Sequence, residues 1–343
     1  MLEIDGSFGE GGGQILRTAL SLSCLTGTPF RISNIRRERR KPGLMSQHLA
    51  AVRAAQSITH ATLQGAEMGS TEIFFTPHGL QGGAFSFDIG TSGSVTLLLQ
   101  TLILPLLHAD RPSMVTLTGG THVPMCPSFH YLSEVFAPLL RRMGGELRLS
   151  IDSYGFYPRG GGSIRAEILP LRELLPLNLD TSGELHRITG VSGVCNLPLS
   201  IAERQRTAAL ATLNVKPSDV PLEINLLDAP GPGQGTFLFL RADTGEVRSG
   251  FTALGALRKW AETVGTEAAE ELSRHLASGA AIDPHLADQL VPYLAMCRGE
   301  STFTTSRITR HLMTNLWVTA LFLPYRHQLY GEEGERGRVT ISR

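Results

Sequence analysis

Apolar and polar positions along this chain change repeatedly between the spacing of helices and that of strands. Apolar residues return every three or four positions from Gln14 to Leu25, and again from Ser46 to Ile58, which predicts two helices. The segments "PFRISNI", "TEIFFTP" and "FSFDIG" are short and rich in β-branched and aromatic residues, which predicts strands. Glycine and proline turns separate these elements. The pattern therefore predicts an α/β (α+β) fold.

The same succession of elements returns along the sequence. "GGGQILRTALSL" and "TSGSVTLLLQTL" each lead from a turn of small residues into an apolar helix, about 80 residues apart. Each is followed by a strand, a second helix and a hairpin. A third unit begins near "HLADQLVPYLAM" and closes with "RVTISR". We therefore predict three βαβαββ units.

Residues 183–279 interrupt this succession. They contain a strand, "LHRITGV", a helix, "SIAERQRTAALATL", two further strands, "LEINLLDA" and "GTFLFLRAD", and a helix, "LRKWAETVGTEAAEELSRHLA". We predict that they form a small α/β domain, inserted in a large three-unit domain of residues 1–182 and 280–343.

Composition and charge narrow the class of protein. The 343 residues are 42% hydrophobic and 18% charged, which is typical of a folded globular chain. The 31 basic and 31 acidic residues cancel, so a polyanion must be met by a local basic patch. The four cysteines are far apart and form no CxxC pair, which argues against a zinc ribbon, a redox motif or a disulfide framework and predicts buried, reduced thiols.

No segment has the pattern of a targeting or membrane-spanning sequence. "MLEIDGSFGE" carries charge and glycine where a signal peptide needs an apolar run. The longest apolar stretch, Val95 to His108, is too short for a bilayer and contains Gln100 and Pro105. We expect a cytoplasmic protein with no membrane partner. A homodimer is compatible with the sequence, which does not determine the oligomeric state.

The stretch "DGSFGEGGGQILRTALSLS" places a glycine-rich loop before the first helix. Such a loop is either an anion site, because free N–H groups and the helix dipole point the same way, or a tight turn that binds nothing. Glu10 is either a solvated turn residue or a ligand of a metal that accompanies phosphates. Arg17 follows Gln14 by one turn and can reach the same face. The loop matches neither the P-loop nor the dinucleotide fingerprint.

A basic cluster, "RISNIRRERRKPGLMSQH", covers residues 31–48. Its cationic side chains are answered by Glu38 alone, and Gln47 and His48 open the next helix. A solvated connection is one interpretation. The other is a site for a nucleic-acid backbone or a terminal phosphate, because arginine binds phosphate through paired hydrogen bonds.

Two late segments carry groups suited to nucleotide chemistry. His311 begins an apolar helix directly after Arg310 and four residues after Arg307. These two cations favour a neutral imidazole, the form that a histidine nucleophile needs. A structural histidine is the alternative. "HLADQL" adds Asp288 and Gln289 as hydrogen-bonding groups for a base. The residues alone thus predict a phosphate-handling α/β enzyme and leave the reaction open.

Taken together, these segments resemble the RNA 3′-terminal phosphate cyclase family. The matching stretches also include "GTSGSVTLLLQTLILP", "GGTHVPMCP", "GFYPRGGG" and "RHLMTNLWV", in family order over nearly the whole chain. The resemblance implies three units that each resemble the C-terminal half of translation initiation factor 3. It also implies a reaction in three steps: a histidine takes AMP from ATP, AMP passes to an RNA 3′-terminal phosphate, and the 2′-hydroxyl closes a 2′,3′-cyclic phosphodiester.

The resemblance also assigns roles to residues. His311 corresponds to the adenylated nucleophile, and Glu10 to a carboxylate near ATP and a divalent metal, Mg²⁺ or Mn²⁺. The phosphate- and RNA-binding set is Arg17, Arg36, Arg39, Gln47 and His48. The ATP pocket is Gln100, Pro127, His285, Leu286, Ala287, Asp288 and Gln289.

Two positions depart from the family pattern, and two other functions remain open. His285 stands where relatives often have a tyrosine that stacks on adenine, and His122-Val123 stands where Asp-Asn is common. One alternative is a non-catalytic, cyclase-like RNA-binding factor in ribosome biogenesis, a branch that lacks the catalytic histidine. The other is an enolpyruvyl-transferase-like enzyme that binds a phosphorylated small molecule. His311 in its "RHLMTN" context favours the cyclase.

Overall fold

The protein is described from a computed structural model that covers residues 1–213, 220–245 and 247–343. The interrupting block of residues 183–279 therefore includes seven positions outside the described residues. Helices alternate with strands that form four small sheets, each with four strands and each containing both parallel and antiparallel pairs. The predicted mixed α/β class is confirmed.

The first sheet is built from the first quarter of the chain. Its elements are β1 (Leu2–Asp5), α1 (Gly13–Thr26), β2 (Phe30–Ser33), α2 (Ser46–Thr59), β3 (Thr62–Gln64) and β4 (Ile73–Thr76). The strand order is β1-β2-β4-β3, with β1 parallel to β2 and the other neighbours antiparallel. The parallel pair requires a crossover, which α1 provides.

The second sheet repeats this order of elements. It comprises β5 (Ala84–Asp88), α3 (Val95–Leu106), β6 (Ser113–Gly119), α4 (Phe129–Tyr131), a π-helical turn (Leu132–Phe136), α5 (Ala137–Arg142), β7 (Glu146–Ser153) and β8 (Gly162–Leu169). The strand order is β5-β6-β8-β7. The two helices and the π-turn follow one another without a break, in the place of the single helix that the sequence predicts.

A short strand, β9 (Asn178–Leu179), then leads into a block with its own sheet. The block contains β10 (Arg187–Cys195), α6 (Leu199–Leu213), β11 (Leu222–Asp228), β12 (Gly235–Asp243), β13 (Arg248–Leu254) and α7 (Ala261–Ser278). Its strand order is β11-β10-β12-β13.

The third sheet is completed only after this block. It adds α8 (Pro284–Leu294), β14 (Glu300–Thr305), α9 (Arg310–Phe322), β15 (Arg326–Tyr330) and β16 (Gly337–Ser342) to β9. Read from β9, the order β9-β14-β16-β15 is that of the first two sheets. The division into domains and the likeness of each unit to initiation factor 3 stay predictions.

The interrupting block differs from its sequence prediction in two places. β13 was not predicted. α7 begins at Ala261 rather than at Leu257, because Arg258 lies in the left-handed region with φ 66° and Trp260 has the extended conformation of a cap. Leu257 and Trp260 are 93% and 72% exposed, so their apolar side chains do not continue the buried face of the helix.

Two groups of buried side chains form the core. The larger one joins residues of all three repeated sheets and surrounds α1, which packs against α2, α3 and α9. Ile15, Leu16 and Ala19 of α1 are at most 1% exposed. The smaller group lies between β10–β13 and helices α6 and α7. α1 thus holds the residues after the glycine-rich loop at the centre of the molecule.

All four cysteines are free, as expected. Three of them are buried, but Cys126 is only half-buried because it borders a cavity, which corrects the prediction of four buried thiols.

Candidate active site

A cavity of about 480 Å³ opens where α1, α3, α8 and α9 meet β13. Seven residues predicted for the site line it: Arg17, Gln100, Pro127, His285, Asp288, Gln289 and His311. They come from four helices and one loop that are distant in sequence. The fold therefore brings the nucleophile candidate and most of the predicted ATP pocket to one place.

A chain of hydrogen bonds fixes the ring of His311. Nδ1 of His311 lies 2.6 Å from Oε1 of Gln14, and Nε2 of Gln14 donates to Oδ2 of Asp288 at 2.6 Å. Because an amide oxygen only accepts, Nδ1 of His311 carries the proton and donates. Nε2 of His311 is then left with its lone pair. Gln14, 6% exposed, is an essential part of this arrangement that the sequence analysis did not assign.

The surroundings of His311 keep it neutral. Its pKa is lowered to about 4, first by its partial enclosure in the cavity and then by the positive charges of Arg17 and Arg39. Its side chain remains 48% exposed, so a substrate can reach the ring. A neutral, accessible imidazole with a directed lone pair is the arrangement that a nitrogen nucleophile requires.

Asp288 is held at the inner end of this chain. Enclosure raises its pKa to about 7, against the opposing charge of Arg17. Asn315, one turn after His311 on α9, donates from Nδ2 to the carbonyl oxygen of Asp288 at 2.7 Å and accepts from Oγ1 of Thr18 at 2.7 Å. Asn315 and Thr18 thus join α8, α9 and α1 around the site. The i, i+4 spacing of His311 and Asn315 in "RHLMTN" was the sequence clue to this residue.

Glu10 lies on the other side of His311, at the exposed rim. Its Oε2 is 4.0 Å from Nδ1 of His311, and its Oε1 forms an ion pair with Arg39. Its backbone N–H donates to Oγ1 of Thr314 at 3.3 Å, which ties the glycine-rich loop to α9. Gly9 permits this approach: its φ is +59°, and a Cβ there would lie 2.4 Å from Oγ1 of Thr314.

His48 faces the start of α1 and also stays neutral. Burial and the charges of Arg17 and Arg36 lower its pKa to about 3. The backbone N–H of Met45 donates to Nδ1 of His48 at 3.2 Å, so the proton of His48 is on Nε2. A Cβ on Gly13 would lie 2.3 Å from this Nε2, so only glycine allows the ring to reach the loop.

Arg36 and Gln47, predicted to bind phosphate, are engaged in backbone contacts. Nη1 of Arg36 donates to the carbonyl oxygen of Gly43 at 2.8 Å, and desolvation lowers the pKa of Arg36. Oε1 of Gln47 accepts from the backbone N–H of Ser94, the cap of α3, at 3.1 Å. Both side chains hold loops of the site in place.

The inner end of the cavity offers polar atoms among apolar walls. Nε2 of Gln100 and Oε1 of Gln289 are buried and have no hydrogen-bond partner in the described structure. The ring of His285 meets that of Tyr131 edge-on, with centroids 6.3 Å apart. Pro127 lines the same cavity, and its carbonyl oxygen accepts from Oγ1 of Thr96 at 2.7 Å. Such unpartnered amides in an apolar pocket suit the edge of a heterocyclic base.

Two predicted pocket residues occupy the core instead. Leu286 and Ala287 are fully buried and do not line the cavity, because they lie on the inner face of α8 beside Asp288. Tyr131, which the sequence analysis did not assign, lines the cavity and donates through its hydroxyl to Oδ1 of Asp283 at 2.8 Å. His122 is 1% exposed and packs on Phe237 at 4.3 Å, which makes the departure at His122-Val123 a feature of the core.

The donor set at Glu10 suits a metal ion only when phosphates accompany it. Among the described residues no group of three or more His, Cys, Asp or Glu side chains could hold a metal by itself. Glu10 supplies one carboxylate, 16% exposed, within reach of His311. Mg²⁺ is commonly bound through one or two carboxylates, substrate phosphates and waters. The residues present therefore fit an ion that binds with a nucleotide.

The comparisons with known proteins agree with this geometry. A sequence model of the RNA 3′-terminal phosphate cyclase family matches residues 8–329. The chain belongs to this family. The RNA 3′-terminal phosphate cyclase of Methanopyrus kandleri is 45% identical, with 99% of this chain and 98% of that protein covered. The same-named protein of Archaeoglobus fulgidus is 47% identical, with 94% and 96% covered. These matches confirm the predicted family and, with it, the expectation of an enzyme.

Two further findings bear on the remaining expectations. The enolpyruvyl transferase NikO from Streptomyces tendae aligns with 49% of this chain and 33% of its own, at 18% identity and a TM-score of 0.26, which supports no argument. In the described part of the chain, no helix combines the length and the apolar character needed to cross a membrane. The cytoplasmic location and the homodimer stay predictions.

Proposed function

We propose that this member of the cyclase family converts an RNA 3′-terminal phosphate into a 2′,3′-cyclic phosphodiester with ATP as co-substrate, through a covalent adenylate on His311. The relatives' names supply the RNA reaction. The observation that supports a covalent adenylate on histidine is the hydrogen-bond chain from Asp288 through Gln14 to Nδ1 of His311. It leaves Nε2 of a neutral ring at the mouth of a cavity of nucleotide size.

In the first step, Nε2 of His311 attacks the α-phosphorus of ATP. A P–N bond forms, the P–O bond to the β-phosphate breaks, and pyrophosphate leaves with the electron pair. Nδ1 keeps its proton and donates to Gln14, so the positive charge that develops on the ring is stabilised by a hydrogen bond. Arg17, which lines the cavity, is in place to neutralise charge on the α-phosphate oxygens.

In the second and third steps AMP moves to RNA and leaves again. An oxygen of the RNA 3′-phosphate attacks phosphorus, a P–O bond forms, and the P–N bond to His311 breaks, which returns a neutral ring. The vicinal 2′-hydroxyl oxygen then attacks the activated 3′-phosphorus and its proton passes to water, while the P–O bond to AMP breaks and AMP leaves. Nε2–H of His48, close to Gly13 at the start of α1, is a donor for a phosphate oxygen that reaches this turn, and Arg39 supplies a half-exposed cation beside Glu10.

A divalent ion bound with the phosphates near Glu10 would act as a Lewis acid and neutralise phosphate charge. Glu10 itself holds Arg39 and lies 4.0 Å from His311, so its carboxylate orders this rim. The cavity floor, with the unpartnered amide atoms of Gln100 and Gln289, is suited to the adenine base.

Incubation of the purified protein with α-³²P-labelled ATP and Mg²⁺ or Mn²⁺, followed by denaturing electrophoresis, tests this proposal. We expect acid-labile, alkali-stable label on the protein, as a phosphoramidate gives, and its loss in His311→Asn. His327→Asn is the matched control, because His327 lies on β15, away from the cavity. Label that persists in His311→Asn would assign the nucleophile elsewhere. RNA binding with no label under any nucleotide and metal would favour the non-catalytic RNA-binding factor.

A further inference from the structure

One aromatic side chain of the glycine-rich loop reaches the surface beside the proposed reaction centre. Phe8 is 44% exposed, and its ring stacks on that of Trp317 with centroids 4.0 Å apart and planes 22° from parallel. Trp317 is half-buried on α9. A ring supported from behind presents one flat face to solvent with little freedom to move. Neither Phe8 nor Trp317 is among the described residues that line the cavity.

The loop runs along α9 in a fixed register. Glu10 approaches His311, Gly9 packs on Thr314, and Phe8 stacks on Trp317, so successive loop residues meet successive turns of the helix. Trp317 follows His311 by six residues, which corresponds to about 9 Å along the helix axis. Phe8 therefore lies outside the nucleotide cavity, beyond Glu10 as seen from His311.

The basic cluster of residues 31–48 contacts the glycine-rich loop at two points, one before and one after Phe8 in the sequence. Nδ2 of Asn34 donates to Oδ1 of Asp5 at 3.1 Å, and Arg39 pairs with Glu10. Phe8 lies between these two ties in the glycine-rich loop. Three further cations of the basic cluster are exposed: Arg37, Arg40 and Lys41. An exposed aromatic ring on a loop that is tied to a cluster of exposed cations is a combination that proteins use to hold single-stranded nucleic acid.

We propose that Phe8, supported by Trp317, is a stacking platform for the base of the penultimate RNA nucleotide. This inference rests on the proposed function, because it requires the RNA 3′-phosphate to lie between His311 and Arg39. The distance of about 9 Å exceeds the 3.4 Å between stacked bases, so the terminal nucleotide has room before the platform. Stacking on a ring is tolerant of base identity, which suits an enzyme that reads an RNA end rather than a sequence.

A purely structural role for Phe8 predicts a different result. If Phe8 only covered Trp317, its removal would weaken the loop and affect every ligand to the same degree. A stacking platform instead distinguishes ligands that have a penultimate base from those that do not. The experiment therefore compares two RNA ligands across several variants.

The measurement is binding of fluorescein-labelled, 3′-phosphorylated RNA by fluorescence anisotropy in the absence of ATP. One oligonucleotide is intact and the other has an abasic site at the penultimate position. For the wild type we expect the abasic ligand to bind about tenfold more weakly, within the range that base–aromatic stacking gives. Phe8→Ala should bind both ligands equally, with the affinity that the wild type has for the abasic one. Phe8→Tyr should restore the difference.

The controls separate this inference from the proposed function. Tyr330→Ala removes an exposed aromatic ring on β15 and should behave as the wild type does. Equal binding of the two ligands by the wild type, or an unchanged preference in Phe8→Ala, would overturn the platform, and so would absence of RNA binding. The ATP-labelling experiment does not depend on Phe8, so a protein that binds RNA through Phe8 but takes up no label would refute only the catalytic proposal.

Discussion

The two neutral histidines of the site, His311 and His48, carry their protons on opposite nitrogens. His311 donates from Nδ1 to a side-chain amide and leaves Nε2 as a base, whereas His48 accepts at Nδ1 from the backbone of Met45 and leaves Nε2–H as a donor. The pKa of each ring is lowered by desolvation and by the charge of Arg17. In the proposed mechanism, the same type of side chain therefore acts as a nucleophile or as a hydrogen-bond donor to phosphate, according to the partner of one nitrogen.

Arg17 lowers the pKa of both histidines, and its removal should have the largest effect. Arg17→Met takes away the charge that lowers the pKa of both His311 and His48, and the cation that we propose faces the α-phosphate. We expect the rate of AMP attachment to fall about 1,000-fold, the upper range for loss of one preorganised charge-stabilising group. Single-turnover labelling with α-³²P ATP measures this rate.

Arg53→Met is the matched control for Arg17→Met, because Arg53 is exposed on α2 and does not line the cavity. A labelling rate within a few-fold of the wild type in Arg17→Met would show that the two histidines do not depend on a common cation.

Gln14 is the hydrogen-bond partner of His311 but not of His48, so its replacement should affect the two histidines differently. Gln14→Met keeps the volume of the side chain but removes the acceptor that holds the proton of His311 on Nδ1. We expect AMP attachment to slow about 100-fold, in the range for loss of proton positioning, while RNA binding is unchanged. Both are measured on the same preparation, by labelling and by anisotropy. Gln56→Met on α2 serves as the control, and equal losses in both assays would indicate a general structural defect.

The pH dependence should follow Asp288 rather than His311. Because the pKa of His311 is about 4, its ring is already neutral above that pH. Asp288, with a pKa of about 7, is mostly ionised only at a pH above its pKa. A protonated Asp288 can donate to Gln14 and release the amide to turn its N–H groups toward His311. We therefore expect the labelling rate to rise with pH, up to tenfold per unit below about 7, and then to level off.

Asp288→Asn tests the origin of this profile, because an amide does not titrate. The variant should lose the rise near pH 7, whatever its absolute rate. A wild-type profile that levels off below pH 5, as titration of His311 alone would produce, contradicts the role given to Asp288.

Arg39 also lowers the pKa of His311, but it is a half-exposed cation, and its removal should have the smallest effect. Arg39→Ala removes a half-exposed cation that pairs with Glu10. We expect kcat/KM for a 3′-phosphorylated RNA to fall about tenfold, as one phosphate contact gives, with a smaller change in labelling. The free energy of unfolding should change by less than about 1 kcal/mol, because exposed ion pairs contribute little. Arg31→Ala, which loses exposed pairs with Glu72 and Glu3, is the control.

Equal losses of cyclisation and of AMP labelling in Arg39→Ala would show that Arg39 does not act mainly on the RNA phosphate. Equal cyclisation by wild type and variant would exclude Arg39 from phosphate handling. Cyclisation and labelling assays, with urea unfolding as a third readout, separate these cases.

The local sequence pattern was sufficient to predict several helices and the family of this protein. Apolar spacing predicted α1 and α2 to within a residue of their bounds, because each helix buries one face and its ends are marked by turn residues. The motif order identified the family, and with it the candidates His311, Glu10 and Arg17. The start of α7 was missed because Arg258 has a left-handed backbone, which a residue other than glycine seldom adopts and which its residue type does not indicate.

Only the tertiary structure decided how these groups act on one another. Gln14 and His311 are 297 positions apart, and Gln14 and Asp288 are 274 apart, so no local pattern links them. Leu286 and Ala287 share a motif with Asp288 but face the core, because a helix turns neighbouring residues to different sides. The tautomer of each histidine depends on which distant or local group meets one nitrogen. The sequence supplied the chemical groups, and the packing of α9 against both α1 and α8 determined which nitrogen of His311 holds the proton.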